Sequence, residues 1–204
     1  MSKDFTIEAW VVLEAAGNGR YWWEGLPLFW ADLDSQASHI SATLLNGVLR
    51  FVTGSPNGDA IISSQSTIPT SQWVHLVVTR VMSTGAMTIF VNGQVDGSGT
   101  GTTVALDGQP DLWIFCSNTG LYTPGAIDEL RAWSVARSEA DLRATMHKRL
   151  AGDEPGLVGY WRLDEGFGTS ANDSSPTGNP VYLGGAAPLA APAWIPSTAL
   201  PEAP

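Results

Sequence analysis

Gly125-Ala126-Ile127-Asp128-Glu129-Leu130-Arg131-Ala132-Trp133, a short helical stretch from Ser138, and then Gly159-Tyr160-Trp161-Arg162-Leu163-Asp164-Glu165 form the segment that decides the fold. The first and last parts read as strands bounded by turn residues. Between them, Ser138 and Asp141 have the spacing of a capping box, with Asp in place of the usual Glu. Leu142, Met146 and Leu150 recur at four-residue intervals and predict one core-facing stripe. Arg143, His147, Lys148 and Arg149 complement the negative end of the helix dipole, and Gly152 ends the helix.

Upstream the pattern is all strand. Phe5, Ile7, Ala9, Val11 and Leu13 share one face, while Thr6, Glu8, Trp10 and Val12 share the other. Trp10 and Val12 predict that this second face is also covered. Further strands are predicted at 26–33, 38–45, 48–53, 60–63, 73–82, 86–91, 112–116 and 157–163, with a weak one at 181–183. Asn46-Gly47 and Asn92-Gly93 read as hairpin turns. Gly97 to Gly101 reads as a Gly/Ser/Thr loop. Many short strands with frequent turn signals and one late helix predict an all-β, two-sheet antiparallel β-sandwich of jelly-roll type, with one short helix near residues 138–150. A single domain over 1–204 is expected, with 184–204 an extended Ala/Pro-rich surface tail.

Bulk properties narrow the function. A net charge of −10 repels phosphate backbones, which sets nucleic acid aside as a partner. The same acids supply hard oxygen ligands for calcium, although most of them serve solubility. Cys116 is the sole cysteine, so bridges say nothing about the compartment, and its apolar neighbours Trp113, Ile114 and Phe115 predict a buried, inert thiol. Met1-Ser2-Lys3-Asp4 leads into a strand without a signal-peptide pattern in this chain, and no apolar run approaches membrane-spanning length. Nine tryptophans exceed ordinary use. Trp10, Trp73, Trp113, Trp133 and Trp161 are expected in the core or between the sheets.

Phe5-Thr6-Ile7-Glu8-Ala9-Trp10-Val11, Trp73-Val74-His75-Leu76-Val77-Val78-Thr79-Arg80, Ile89-Phe90-Val91-Asn92-Gly93 and the 125–137 segment resemble the laminin-G-like (LamG-like) jelly rolls of the concanavalin A-like lectin/glucanase superfamily. Gly159-Tyr160-Trp161, Asp164-Glu165-Gly166 and Asp173-Ser174-Ser175 extend the likeness over about residues 5–183. The resemblance is also to pentraxins at the level of fold. It implies a platform for lectins, adhesion modules, calcium sites and plain spacers, and it leaves the ligand open. In that family the aspartate matching Asp128 is a calcium ligand or a strand brace, with Asp164, Asp173 and Asn172 as candidate oxygen partners. Such domains usually carry one strand before the Phe5 segment. Its absence predicts that residues Asp164 to Leu183 supply a strand within the chain or to a partner copy, giving a homodimer by strand pairing or exchange.

Catalysis by the fold's glucanases needs two carboxyls on one strand face, Glu-x-Asp-x-Glu. Here Ala126 and Leu130 occupy the two flanking positions around Asp128, and Glu8 lies between Ile7 and Ala9, so a non-enzymatic protein is expected. Asp128 and Glu129, as strand neighbours, are predicted on opposite faces. His39, His75 and His147 have no metal spacing, and His75 reads as a satisfied sheet histidine.

The loop Arg20-Tyr21-Trp22-Trp23 holds the surface candidate. Three adjacent aromatics between glycines cannot all point inward. Exposed rings bind the apolar faces of sugars, with Asp32, Asp34 and Asn18 as hydroxyl acceptors, Arg20 for an acidic group, and Tyr122 on a nearby loop. The other reading has Trp22 and Trp23 capping the sandwich or packing in an interface. The sequence thus supports a non-enzymatic, lectin-like or adhesion module for a glycan or glycoprotein, with calcium as candidate cofactor. The alternative is a structural or protein-interaction domain of a larger secreted or surface protein, and either implies an extracellular or cell-surface parent.

Overall fold

A computed structural model describes residues 3–31, 38–106, 111–184 and 192–200. Two antiparallel sheets stack face to face. The six-stranded sheet runs β11 (Leu157–Trp161), β10 (Gly125–Trp133), β1 (Phe5–Leu13), β6 (Trp73–Val81), β7 (Ala86–Val91), β8 (Gln94–Thr100). The five-stranded sheet runs β5 (Gly58–Ser63), β4 (Val48–Ser55), β3 (Ile40–Leu45), β2 (Leu26–Ala31), β9 (Trp113–Ile114). Period-two alternation sends Phe5, Ile7, Ala9, Val11 and Leu13 into the layer between the sheets, as predicted. There they meet Leu44, Phe51 and their neighbours, with Phe5 set edge-on to Phe51 at 6.1 Å between ring centroids.

Gly97 to Gly101, expected as a loop, is mostly strand β8. Its glycines are what permit this. A Cβ on Gly97 would stand 2.3 Å from the Ser63 carbonyl oxygen, and one on Gly99 would stand 2.7 Å from Ile62 Cγ2. Absent side chains let β8 lean on β5 and close one flank of the sandwich.

The second face of β1 is buried as well, under helix α1 (Glu139–Thr145) and the chain near residue 199. Glu8 is fully buried there. Its Oε1 accepts from Trp133 Nε1 (2.7 Å) and Arg137 Nη1 (3.2 Å), and its Oε2 lies 3.0 Å from His75 Nε2. Arg137 also lies over the Trp133 ring at 4.0 Å. His75 is therefore a paired sheet histidine. Trp10 and Trp133 are buried on this outer face and not between the sheets, and Trp73 and Trp113 are partly exposed. Of the five tryptophans expected in the core or between the sheets, Trp10 and Trp133 are thus in outer-face core clusters and Trp161 packs against the inter-sheet core. Large rings are needed where a helix must rest on a pleated surface.

The helix begins as expected, with Ser138 and Asp141 exchanging cap bonds. It stops a turn earlier than the Leu150 spacing predicts. The Met146 carbonyl accepts from Trp10 Nε1 (2.8 Å), while those of Thr145 and Lys148 accept from Arg131 (3.2 and 2.6 Å). These tertiary donors replace the next helical turn.

A bulge corrects a second expectation. Glu8 pairs with Arg131 and Trp10 with Asp128, so Glu129 and Leu130 together stand opposite Ala9. Glu129 adopts φ +52°, and its side chain joins that of Asp128 on the outer face. Glu129 Oε2 accepts from Arg131 Nη2 (2.6 Å) and the Tyr160 hydroxyl (2.7 Å). Burial and the Glu129 bond push the Tyr160 hydroxyl up to about 12.

The segment after β11 does not extend a main sheet as a strand. β12 (Ser170–Ala171) and β13 (Val181–Tyr182) pair with each other, and a single bridge joins Trp161 to Asp173. Residues 192–200 cross the six-stranded sheet, where Ser197 Oγ bonds Asp128 and Trp73 Nε1 donates to Thr198 Oγ1.

Two outcomes follow for stability. Glu8→Ala leaves Arg137, His75 and the Trp133 indole facing an empty carboxylate position, and is expected to cost about 3–5 kcal/mol in urea denaturation. Burial raises the pKa of Glu8, but the His75 bond and the charges of His75, Arg131 and Arg137 carry it below the ordinary glutamate value. The stability Glu8 contributes is accordingly present above that ordinary value and lost as pH falls through the depressed one. Asp128 is the opposite case, its pKa raised by burial and by Glu129 against the Ser197 bond. A raised pKa contributes stability at low pH that disappears as pH rises through it. Asp128→Asn should thus melt at or above the parent at neutral pH, with the advantage vanishing in acid.

Candidate functional site

Among the described residues the outer face of the five-stranded sheet carries no α-helix. Register places Trp113, Trp30, Ser41, Val52 and Ile61 side by side across five strands. The 3-10 turn Trp22–Glu24 lies over the middle of this row. Gly17, at φ +67°, brings the preceding chain close to β3, where a Cβ would stand 2.2 Å from the Leu44 carbonyl oxygen. Thr43 Oγ1 then donates to the Trp22 carbonyl at 2.9 Å.

The three aromatics divide. Trp22 is 6% exposed and packs with Trp30 and Val52. Its indole donates to Asp59 Oδ2 at 3.1 Å, and its ring stacks on His39, whose Nε2 is 3.5 Å from Asp59 Oδ1. Tyr21 and Trp23 are 44% and 47% exposed. Their rings stack on each other at 4.6 Å and 5°, and the Arg20 guanidinium lies 5.3 Å from the centre of the Tyr21 ring. Trp23 meets Trp22 edge-on at 5.7 Å, so the exposed pair is braced from below.

Glu24 holds this arrangement. Its Oε2 accepts from the backbone N–H groups of Tyr21 and Arg20. These two bonds hold the Glu24 carboxyl below the ordinary glutamate value. The loop is thereby braced from within, and presents a stacked aromatic pair and a cation.

Of the other predicted ligand residues, Asn18 is exposed on the same loop. Asp32 and Asp34 lie outside the described residues. Tyr122 is exposed on the loop after β9, where it bridges Cys116. That loop reaches the aromatic row through Asn118, whose Oδ1 accepts from Trp30 Nε1 at 3.0 Å. Asp59 and Asn118 carry no signal of their own in the sequence, and His39 reads there only as a histidine without metal spacing. Only the cross-strand register reveals them, since the residues they touch are 37, 17 and 88 positions away.

The calcium candidates are dispersed. Asp128 is bonded by Ser197 and by the Glu129 amide. Asp164 pairs with Arg149 at 2.8 Å. Asp173 accepts from the amides of Tyr160, Ser175 and Asn179 and from Thr177 Oγ1. Burial opposes these bonds, yet they hold Asp173 below the ordinary aspartate value. Asn172 donates its amide to Glu165. Among the described residues no three His, Cys, Asp or Glu side chains converge on one point, so these residues do not fit a shell of six to eight oxygens. Cys116 is half-buried, and burial raises its pKa. Among the described residues no helix is long and apolar enough to cross a membrane.

No curated protein sequence matches the chain. Among solved structures, one from Bacteroides ovatus named "putative carbohydrate binding protein" superposes with a TM-score of 0.68 at 21% identity, over 88% of this chain and 51% of that one. This chain therefore spans about half of that relative. The CBM40 module of Ruminococcus gnavus IT-sialidase, solved with α2,3-sialyllactose, gives 0.56 at 10% identity over 70% and 81%. Domain 4 of an extracellular GH43 arabinanase from Geobacillus stearothermophilus, solved with arabinotriose, gives 0.54 at 21% identity over 70% and 66%. At these identities the likeness is one of fold. A laminin-G family model, described as "Concanavalin A-like lectin/glucanases superfamily", matches residues 1–143. With its two stacked antiparallel sheets and that match over most of its length, the chain belongs to the concanavalin A-like lectin/glucanase superfamily.

Proposed function

We propose that the protein is a non-catalytic carbohydrate-binding module of an extracellular or cell-surface protein, with Tyr21, Trp23 and Arg20 as its contact surface. The observation that carries this reading is the half-exposed, parallel Tyr21–Trp23 pair clamped by Glu24. An exposed ring pair held rigid before binding loses little side-chain entropy on contact with a ligand, which is how a small aromatic surface gains useful affinity. The carbohydrate ligands in the neighbouring structures support the class of ligand without specifying the sugar. The carboxylates support absence of hydrolysis, because Glu8 and Glu129 are buried in ion pairs and Asp128 is capped by Ser197.

The reading is tested by glycan-array binding followed by calorimetry on the best ligand. Trp23→Ala is expected to weaken binding by on the order of tenfold or more, about 1.4 kcal/mol. It should leave folding stability within about 0.5 kcal/mol, as befits a surface side chain. Trp22→Ala, which empties the space over Trp30 and Val52, is expected to cost about 3–5 kcal/mol of stability. Retained binding in the Trp23 variant would move the sugar site away from this ring pair, and no glycan bound at all sends the assignment to the alternative of a protein-interaction domain. Calcium enters as a separate trial: given the dispersed carboxylates, melting temperature with added calcium and with chelator should coincide, and a rise with calcium would show a site beyond the groups described.

A further inference from the structure

The opposite face of the sandwich carries a second concavity that the ring pair does not touch. An open cleft of about 450 Å³ lies between the start of β6, the β7–β8 turn and the end of the helix, lined by Trp10, Trp73, Asn92, Arg143, Met146 and His147. Its volume falls in the range of small-ligand sites.

The cleft is fixed from three sides. Asn92 donates its amide to the His75 carbonyl (2.9 Å), and its Oδ1 accepts from the His75 amide (2.9 Å). The turn glycine, Gly93, lies so close to the helix that a Cβ there would stand 2.8 Å from Met146 Sδ and 2.9 Å from Arg143 Cγ. Arg143 Nε donates to the Gly93 carbonyl at 3.0 Å. Trp10 is held by its bond to the Met146 carbonyl and lies against His147 at 5.2 Å. Trp73 is tied to Thr198.

The chemistry of the lining is one-sided. Trp10, Met146 and Trp73 supply an apolar floor and wall. Asn92 has its side-chain oxygen engaged, so it offers its amide N–H groups. Arg143 offers guanidinium donors, and His147 an imidazole. Among the described residues no carboxylate lines the cleft. Arg143 is partly balanced by Glu139 at 3.3 Å, so the net field suits one negative charge better than the two of a phosphate.

We infer that this cleft binds a carboxylate-bearing sugar unit, its ring against Trp73 and its carboxylate toward Arg143 and Asn92. The site is independent of the Tyr21–Trp23 surface and stands or falls separately from it.

The test is titration of the full chain with trigalacturonate and with 3′-sialyllactose, each beside its neutral carboxyl methyl ester. The readout is the indole N–H signal of Trp73 in nitrogen-15 correlation spectra, assigned with Trp73→Phe. At least one acid is expected to shift this signal saturably, and its neutral counterpart to bind more weakly by on the order of tenfold, the value of one charge-assisted bond. Arg143→Ala, on the exposed helix face, should lose a similar factor while keeping the native spectrum. Should Arg143→Ala disturb the spectrum, Arg143→Gln provides the same comparison. The inference is overturned if neither acid moves the Trp73 signal, if acid and neutral ligands bind alike, or if binding survives the Arg143 change but fails with Trp23→Ala.

Discussion

The burial of β1 on both faces constrains the whole molecule. An antiparallel sandwich ordinarily leaves the outside of each sheet to water. Here Glu8 faces outward from the centre of the six-stranded sheet and is nonetheless sealed. A carboxylate removed from water persists only with partners in good geometry. His75 supplies one partner from β6, and Trp133 and Arg137 supply the others from the end of β10 and the turn after it. Helix and sheet are therefore joined by reciprocal need. Arg131 needs acceptors, which the helix end has in its unpaired carbonyls, and Trp10 takes another of them. The third layer is specified in position, not merely attracted by apolar area.

The two outer faces thus end up different in kind. One is roofed by a helix whose edge leaves a donor-lined cleft. The other is covered by a single buried indole, Trp22, with two rings left outside. In both places a buried tryptophan lies beneath exposed side chains, which keeps the outer groups rigid without burying them.

Much of this architecture could be read directly. The alternation in β1, the hairpin turns, the helix cap and the all-β pattern each depend on neighbours in sequence, and local chemistry determines them. The departures all arise where distant segments meet. Gly97 and Gly99 look like loop residues until β5 lies against them. Asp128 and Glu129 look like opposite-facing neighbours until the extra residue opposite Ala9 turns both outward. The helix loses its last turn because Arg131 and Trp10, in other strands, claim its carbonyls. At the ring pair, the split between Trp22 and its neighbours was legible as a necessity, since three consecutive rings cannot all be inside. Which ring goes in was not, because Asp59, His39 and Asn118 reach Trp22 and Trp30 only through strand register.

The position of Tyr160 and Lys148 separates two definitions of a domain. The recognisable family segment closes at residue 143, within the helix. Yet Arg131 depends on the Lys148 carbonyl and Glu129 on the Tyr160 hydroxyl, both beyond that boundary. A fragment trimmed to the family segment would retain the cation and the anion but lose the groups that make their burial tolerable. The smallest piece able to melt as one cooperative body is therefore longer than the piece that carries the ancestral signature.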